Sequence, residues 1–369
     1  MTTRIPVSAA SGVYEVILGV DLLSNAAQLL EPLDLVPNGL VVADQSVAQT
    51  HANRVIHSLQ DAGWMIKQVT VEAIESRKRM DVVEGIWAEA LSSGIGRDGC
   101  FLSVGGGLTG DVTGFAAATY MRGIRCIQIP TSLLAMVDAS IGGKTGVNVP
   151  LPDGAGLGKN LAGAFWTPEL VIADVDCLST LPDREFRSGL AECVKHGLIS
   201  DRRILEVLNS QPAPVRWSQE GDWLEVMSRA IEVKRDVVVA DEREQGTRMH
   251  LNLGHTFAHV IEPMEAFDLT HGEAVAIGLV AATACSVQLG MVEQRALEAL
   301  RSLLEHLSLP TRLPAPCPAA ELRARMQHDK KVAAGQLRLI LPTGETACVR
   351  NDVPVGVVDA AWHEVGASD

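Results

Sequence analysis

The chain has 369 residues, enough for two domains and a large core. Its hydrophobic content of 47% excludes an extended disordered chain, and its net charge of −14 argues against nucleic acid or an anionic membrane as partner. Seven cysteines without a C-x-x-C pair, and no basic, apolar leader, point to reduced thiols in a cytoplasmic protein.

Residues 13–18, 40–43 and 66–71 are β-rich runs separated by helical stretches. Further runs follow at 100–104, 126–129 and 170–173. This alternation predicts a parallel sheet with helices on both faces, an α/β Rossmann-like nucleotide-binding domain. After Asp176 the β pattern fades, and helical periodicity dominates from Arg184, with one late strand expected at 336–341. The expected division is an α/β domain at 1–178 and an all-α domain at 179–369, with the active site in the cleft between them. Residues 274–292 carry no charge and are long enough to span a bilayer. Their Ala and Gly content, with Thr283, Ser286 and Gln288, predicts a central buried helix instead.

Gly105-Gly106-Gly107-Leu108-Thr109-Gly110-Asp111 follows a strand and opens a helix. Glycines there let the backbone approach a pyrophosphate, and a tight strand–helix turn explains them equally well. Asp44, ending an earlier strand, suits a ribose hydroxyl or a helix cap. Gly143-Lys144-Thr145 is not a P-loop, because Asp138 stands where that motif needs its first glycine. Lys144 and Lys159 lie in Gly-rich, charge-poor surroundings and are candidate anion ligands.

The segment 248–273 holds four of the ten histidines. Read as one helix, it places Asn252, His255 and His259 on a common face, closed by Pro263. Thr270-His271-Gly272-Glu273 predicts a capping box that opens the next helix with His271 in its first turn. The pattern points to a metal or catalytic centre.

Together these stretches resemble the 3-dehydroquinate synthase family of sugar phosphate cyclases. The resemblance rests on GGGLTGD, ATYMRGIRCIQIPTSLLAMVDASIGGKTGVN, GKNLAGAFW, LPDREFRSGLAECVKHGLI, LNLGHTFAHVIE and HGEAVAIG. It implies an N-terminal Rossmann-like and a C-terminal helical domain, NAD, and a metal, usually Zn²⁺ with Co²⁺ as an alternative, held by Glu192, His255 and His271. It implies cofactor positions at Asp44, Glu75, Lys78, Gly106, Gly107, Asp111, Thr131, Ser132 and Thr180. Substrate and catalytic positions fall on Asp138, Lys144, Lys159, Asn160, Lys195, Lys234, Arg248, Asn252 and His259, and on Lys330 or Lys331. Arg122 matches a residue that reaches the neighbouring subunit's site, implying a homodimer. The implied reaction turns DAHP, a seven-carbon keto-sugar acid phosphate, into 3-dehydroquinate and phosphate. Its steps are transient oxidation by NAD, β-elimination of phosphate, reduction, ring opening and aldol closure.

Three features depart from the family pattern. The Lys144–Lys159 interval is longer by material around Pro152–Leu157. Cys177 stands where an aromatic is common, and Ile74 where glycine is preferred. Alternative readings are a 2-deoxy-scyllo-inosose or 2-epi-5-epi-valiolone synthase, a metal- and NAD-dependent polyol dehydrogenase, and an inactive binding module. The first would not need the carboxylate-binding set Lys234, Arg248, Asn252 and His259. The second would not need so many anion-binding residues, and the intact metal triad argues against the third.

Overall fold

A computed structural model describes residues 2–152, 156–218, 222–327 and 337–369. Two compact units, Met1–Leu181 and Pro182–Asp369, divide the chain.

The first unit is built on a seven-stranded sheet. Its strands are β1 (Thr2–Ala9), β2 (Gly12–Gly19), β3 (Asn38–Asp44), β4 (Met65–Val71), β5 (Cys100–Gly105), β6 (Arg125–Pro130) and, after a separate hairpin of β7 (Lys144–Pro150) and β8 (Leu157–Phe165), β9 (Leu170–Asp174). The order is β1-β2-β9-β6-β5-β3-β4, parallel throughout except for the β1–β2 edge pair. β5 and β9 are buried along their whole length, which requires cover on both faces and explains why they read as continuous apolar runs. β1 escaped the sequence reading because only Ile5 and Val7 are buried in it, around an exposed Pro6 that an edge strand tolerates.

From β3 the chain passes outward to β4, then returns to β5 on the other side of β3. The carboxyl ends of β3 and β5 therefore form a topological switch point, the place where an open α/β sheet takes a ligand. Asp44 ends β3 and Gly105 ends β5, and the pairing Ala43↔Val104 sets them level.

The second unit is mainly helical. Its centre is the helix His271–Gln288, whose residues from Ala274 to Ser286 are all buried. The predicted capping box is present: Thr270 and Glu273 exchange their side-chain and backbone hydrogen bonds. Helices Asp183–Ile199 and His255–Ile261 pack against this central helix. The unit is not wholly α, because β10 (Leu339–Pro342) and β11 (Ala347–Arg350) form a hairpin in which only the first strand was expected. Among the described residues no helix is long and apolar enough to cross a membrane.

Candidate active site

In the second unit, one ligand atom each from Glu192, His255 and His271 lie within 4.8 Å of one another. Glu192 is fully buried in the helix Asp183–Ile199, one turn from Ser188. Two glycines of the central helix allow the approach. A Cβ on Gly272 would lie 2.0 Å from the Ser188 carbonyl oxygen, and one on Gly278 would lie 2.3 Å from the Gly254 carbonyl oxygen. Gly272 N–H also donates to Ser188 Oγ at 2.9 Å. One glycine thus admits the helix carrying Glu192, and the other the segment leading into His255.

Segment 248–262 is not one helix. A 3₁₀ turn, Thr247–Asn252, is followed by Gly254 at φ 78°, and the α-helix starts only at His255. The left-handed glycine breaks the expected face, so Asn252 does not share a helix with His255 and His259. Asn252 instead donates from Nδ2 to Glu244 Oε1 at 2.6 Å. His259 is exposed, with its ring edge-on to His255 at 5.6 Å between centroids. Lys195 is buried and ion-paired with Glu192, one helical turn away as the sequence spacing indicated. Lys234 and Arg248 are buried as well, on the helix Trp223–Ala240 and the 3₁₀ turn that pack against the Glu192 helix.

Each triad histidine turns Nε2 toward Glu192, His255 at 3.6 Å and His271 at 3.4 Å. Each has Nδ1 against an acceptor: the Leu253 carbonyl at 3.1 Å for His255, and Glu262 Oε2 at 3.4 Å for His271. An acceptor at Nδ1 fixes the tautomer that leaves the Nε2 lone pair for a cation. Burial first, then the neighbouring Lys195, His271 and His259, hold His255 well below its usual value, so it is neutral. Burial works against charge on His271 too, but hydrogen bonds to Glu192 and Glu262 outweigh it and push the ring up to about 10. The two carboxylates therefore favour positive charge at His271, while Lys195 pairs with Glu192 from its own helix. Two imidazole nitrogens and a carboxylate oxygen are the donor set of a catalytic Zn²⁺ or Co²⁺ site with positions left for substrate, so the residues fit a divalent ion.

In the first unit, Gly106 precedes the helix Gly107–Thr119 without a side-chain cap on its N-terminal N–H groups. Thr131 N–H donates to the Gly105 carbonyl at 2.9 Å, and Ser132 Oγ would lie 3.6 Å from a Cβ on Gly106. Gly105, Thr131 and Ser132 meet where β5 and β6 end, with the Asp44 side chain beside Gly105. Asp44 Oδ1 accepts from Ser46 N and Oγ at 2.9 and 3.0 Å, so it closes a turn and is not the expected helix cap, since the next helix starts only at His51. Thr180 Oγ1 donates to the Cys177 carbonyl and lies 2.7 Å from His51 Nε2. His51 was missed by sequence reasoning. Burial, with Arg54 next, lowers its pKa, so the neutral ring is suited to donating to Thr180.

The charge run at 75–79 is only partly a solvated surface. Arg77 and Arg79 are exposed, but Lys78 is 5% exposed, with Nζ 2.5 Å from both Asp111 Oδ2 and Asn160 Oδ1. Burial raises the Asp111 pKa, opposed chiefly by Lys78. Lys144 and Lys159 stand on the β7–β8 hairpin, both exposed. The hairpin's glycines and polar residues hid its alternation. Gly146 is required there, since a Cβ would meet the Ala162 carbonyl at 2.7 Å. Asp138 lies in a π-turn at Ala135–Ala139, and Arg122 is exposed with φ 69°. Lys330, Lys331 and part of the insertion around Pro152–Leu157 lie outside the described residues.

The fold and its two residue sets define a sugar phosphate cyclase architecture. The chain is similar to a solved 2-epi-5-epi-valiolone synthase from Streptomyces hygroscopicus with NAD⁺ and Zn²⁺ bound (TM-score 0.85, 28% identity, covering 95% of this chain and 96% of that one). It is equally similar to a 2-deoxy-scyllo-inosose synthase complexed with carbaglucose-6-phosphate, NAD⁺ and Co²⁺ (TM-score 0.86, 25% identity, 98% and 100% covered). The 3-dehydroquinate synthase N-terminal model matches residues 68–188 and the C-terminal model residues 189–332. Curated 3-dehydroquinate synthases align over nearly the whole length: 42% identity with that of a Synechococcus species (93% of each chain), and 41% with that of Thermosynechococcus vestitus (100% of each). The chain belongs to the 3-dehydroquinate synthase family.

Proposed function

We propose that the protein converts DAHP into 3-dehydroquinate and phosphate, with NAD⁺ and a divalent metal, Zn²⁺ or Co²⁺, as resident cofactors. The observation that carries this reading is the joint presence of the Glu192, His255 and His271 cluster and the buried cations Lys195, Lys234 and Arg248 in one helical unit. A substrate bearing both a carboxylate and a phosphate needs those cations, and desolvated Lys and Arg bind such oxyanions most strongly.

When bound, NAD⁺ takes a hydride and returns it, while a divalent ion polarises the alcohol and ketone oxygens. The chain's residues do the rest. Gly106, Gly107, Thr131, Ser132 and Asp44 would seat the dinucleotide, with Glu75, Lys78, Asp111 and Thr180 as further contacts. Glu192, His255 and His271 would hold the metal. Lys144, Lys159, Asn160, Lys234, Arg248 and Asn252 would orient the substrate, and Asp138 and Lys195 would lie beside the reacting carbons. His259, exposed next to His255, would take the proton from the carbon beside the new ketone as phosphate leaves the next carbon along. A cytoplasmic homodimer, with Arg122 reaching the neighbouring subunit's site, completes the proposal.

A substrate panel tests it. DAHP should release phosphate and glucose 6-phosphate and sedoheptulose 7-phosphate should not. Cyclisation of either sugar phosphate without turnover of DAHP would transfer the chain to the related cyclases.

A further inference from the structure

The side chain of Asn148 is 1% exposed and is used on three sides. Its Nδ2 donates to Glu75 Oε1 at 2.7 Å and to the Glu75 carbonyl at 3.1 Å. Its Oδ1 accepts the backbone N–H of Asn160 at 2.9 Å. Its own N–H donates to the Lys78 carbonyl at 2.7 Å. Asn160 has φ 52°, a left-handed conformation that asparagine tolerates but does not prefer, so the bond from Asn148 fixes a backbone that would otherwise relax. That backbone aims Asn160 Oδ1 at Lys78 Nζ, which also holds Asp111. One buried amide thus closes a circuit through the 75–78 turn, β7, β8 and the helix of the glycine turn.

We propose that Asn148 is a positioning residue that ties the NAD-side residues Glu75, Lys78 and Asp111 to the substrate-side residue Asn160. The roles given to those four rest on the functional reading above. A buried amide whose donors and acceptor are all engaged cannot release one partner without disturbing the others. Binding on one side of the circuit then depends on order on the other.

The test compares metal-loaded wild-type protein with Asn148→Ala, Asn148→Asp, Glu75→Gln and the double variant Asn148→Asp/Glu75→Gln. NAD⁺ affinity is read by calorimetry, DAHP kinetics by phosphate release, and folding by thermal unfolding. Asn148→Ala should weaken NAD⁺ binding and raise the KM for DAHP about tenfold each, the effect of losing one buried hydrogen bond on either side. Asn148→Asp keeps the acceptor for the Asn160 N–H but sets two carboxylates face to face. It should therefore weaken NAD⁺ about tenfold while KM moves less than about threefold. The double variant restores a donor and an acceptor at the side-chain contact, so its NAD⁺ affinity, measured against Glu75→Gln alone, should fall by less than about threefold. Variants that unfold at lower temperature yet keep wild-type NAD⁺ affinity and KM, or a double variant without rescue, would overturn the positioning role. Wild-type protein that binds NAD⁺ but releases no phosphate from DAHP, with the variant pattern in NAD⁺ affinity intact, would overturn the functional reading and leave the coupling standing.

Discussion

Gly272→Ala should break the metal centre without touching a ligand. The added Cβ would sit 2.0 Å from the Ser188 carbonyl oxygen, where a carbon–oxygen contact needs roughly 3.3 Å. The central helix and the Glu192 helix must then separate by roughly 1 Å, at the end where His271 and Glu192 face each other. Overpacking of this kind costs about 1–3 kcal/mol. The Gly272 N–H to Ser188 Oγ bond is lost as well, at about 1 kcal/mol. The expected destabilisation is therefore about 2–4 kcal/mol. Metal ligands tolerate only about 0.2 Å of displacement, so affinity should fall by more than the tenfold to about hundredfold that loss of an outer partner costs. Denaturant unfolding of the metal-free protein reads the first quantity, and competition with a chelator reads the second. Wild-type stability together with wild-type metal affinity in this variant would refute the idea that close glycine packing sets the ligand spacing.

Glu262→Gln should weaken metal binding about tenfold to a hundredfold, because the carboxylate facing His271 Nδ1 becomes a neutral amide; an unchanged chelator midpoint would count against that role. Metal binding near neutral pH should expel about one proton, since His271 is protonated below its raised value of about 10. Apparent affinity should accordingly rise by up to about tenfold per pH unit between pH 7 and 9 and fall on acidification. Calorimetry in buffers of different ionisation enthalpy checks this, and zero proton release would contradict it. His271→Ala should lose the metal and turnover together, so a variant that retained its full metal content would remove His271 from the ligand set.

The strands of the central sheet other than β1 were legible, the inner ones because buried parallel strands leave continuous apolar runs, and the capping box was legible because its two residues are three apart. What depends on approach through space was not. Glu192 lies 63 residues before His255 and entered only through family resemblance. Gly272 and Gly278 look like ordinary small residues of an Ala-rich helix until the neighbouring backbones are in place. Lys78 reads as surface in Glu75-Ser76-Arg77-Lys78-Arg79, because its burial is decided by Asp111 and Asn160. The opposite error, one helix through Arg248–Glu262, came from trusting periodicity across Gly254, whose φ of 78° stops it.

Hydride removed from the substrate should come back to it within one turnover. Metal-loaded protein supplied with DAHP and excess NAD⁺ should release phosphate and form 3-dehydroquinate in a one-to-one ratio, with no accumulation of NADH absorbance over many turnovers. One NADH accumulating per DAHP consumed, or DAHP left intact while NAD⁺ and metal are bound, would contradict it.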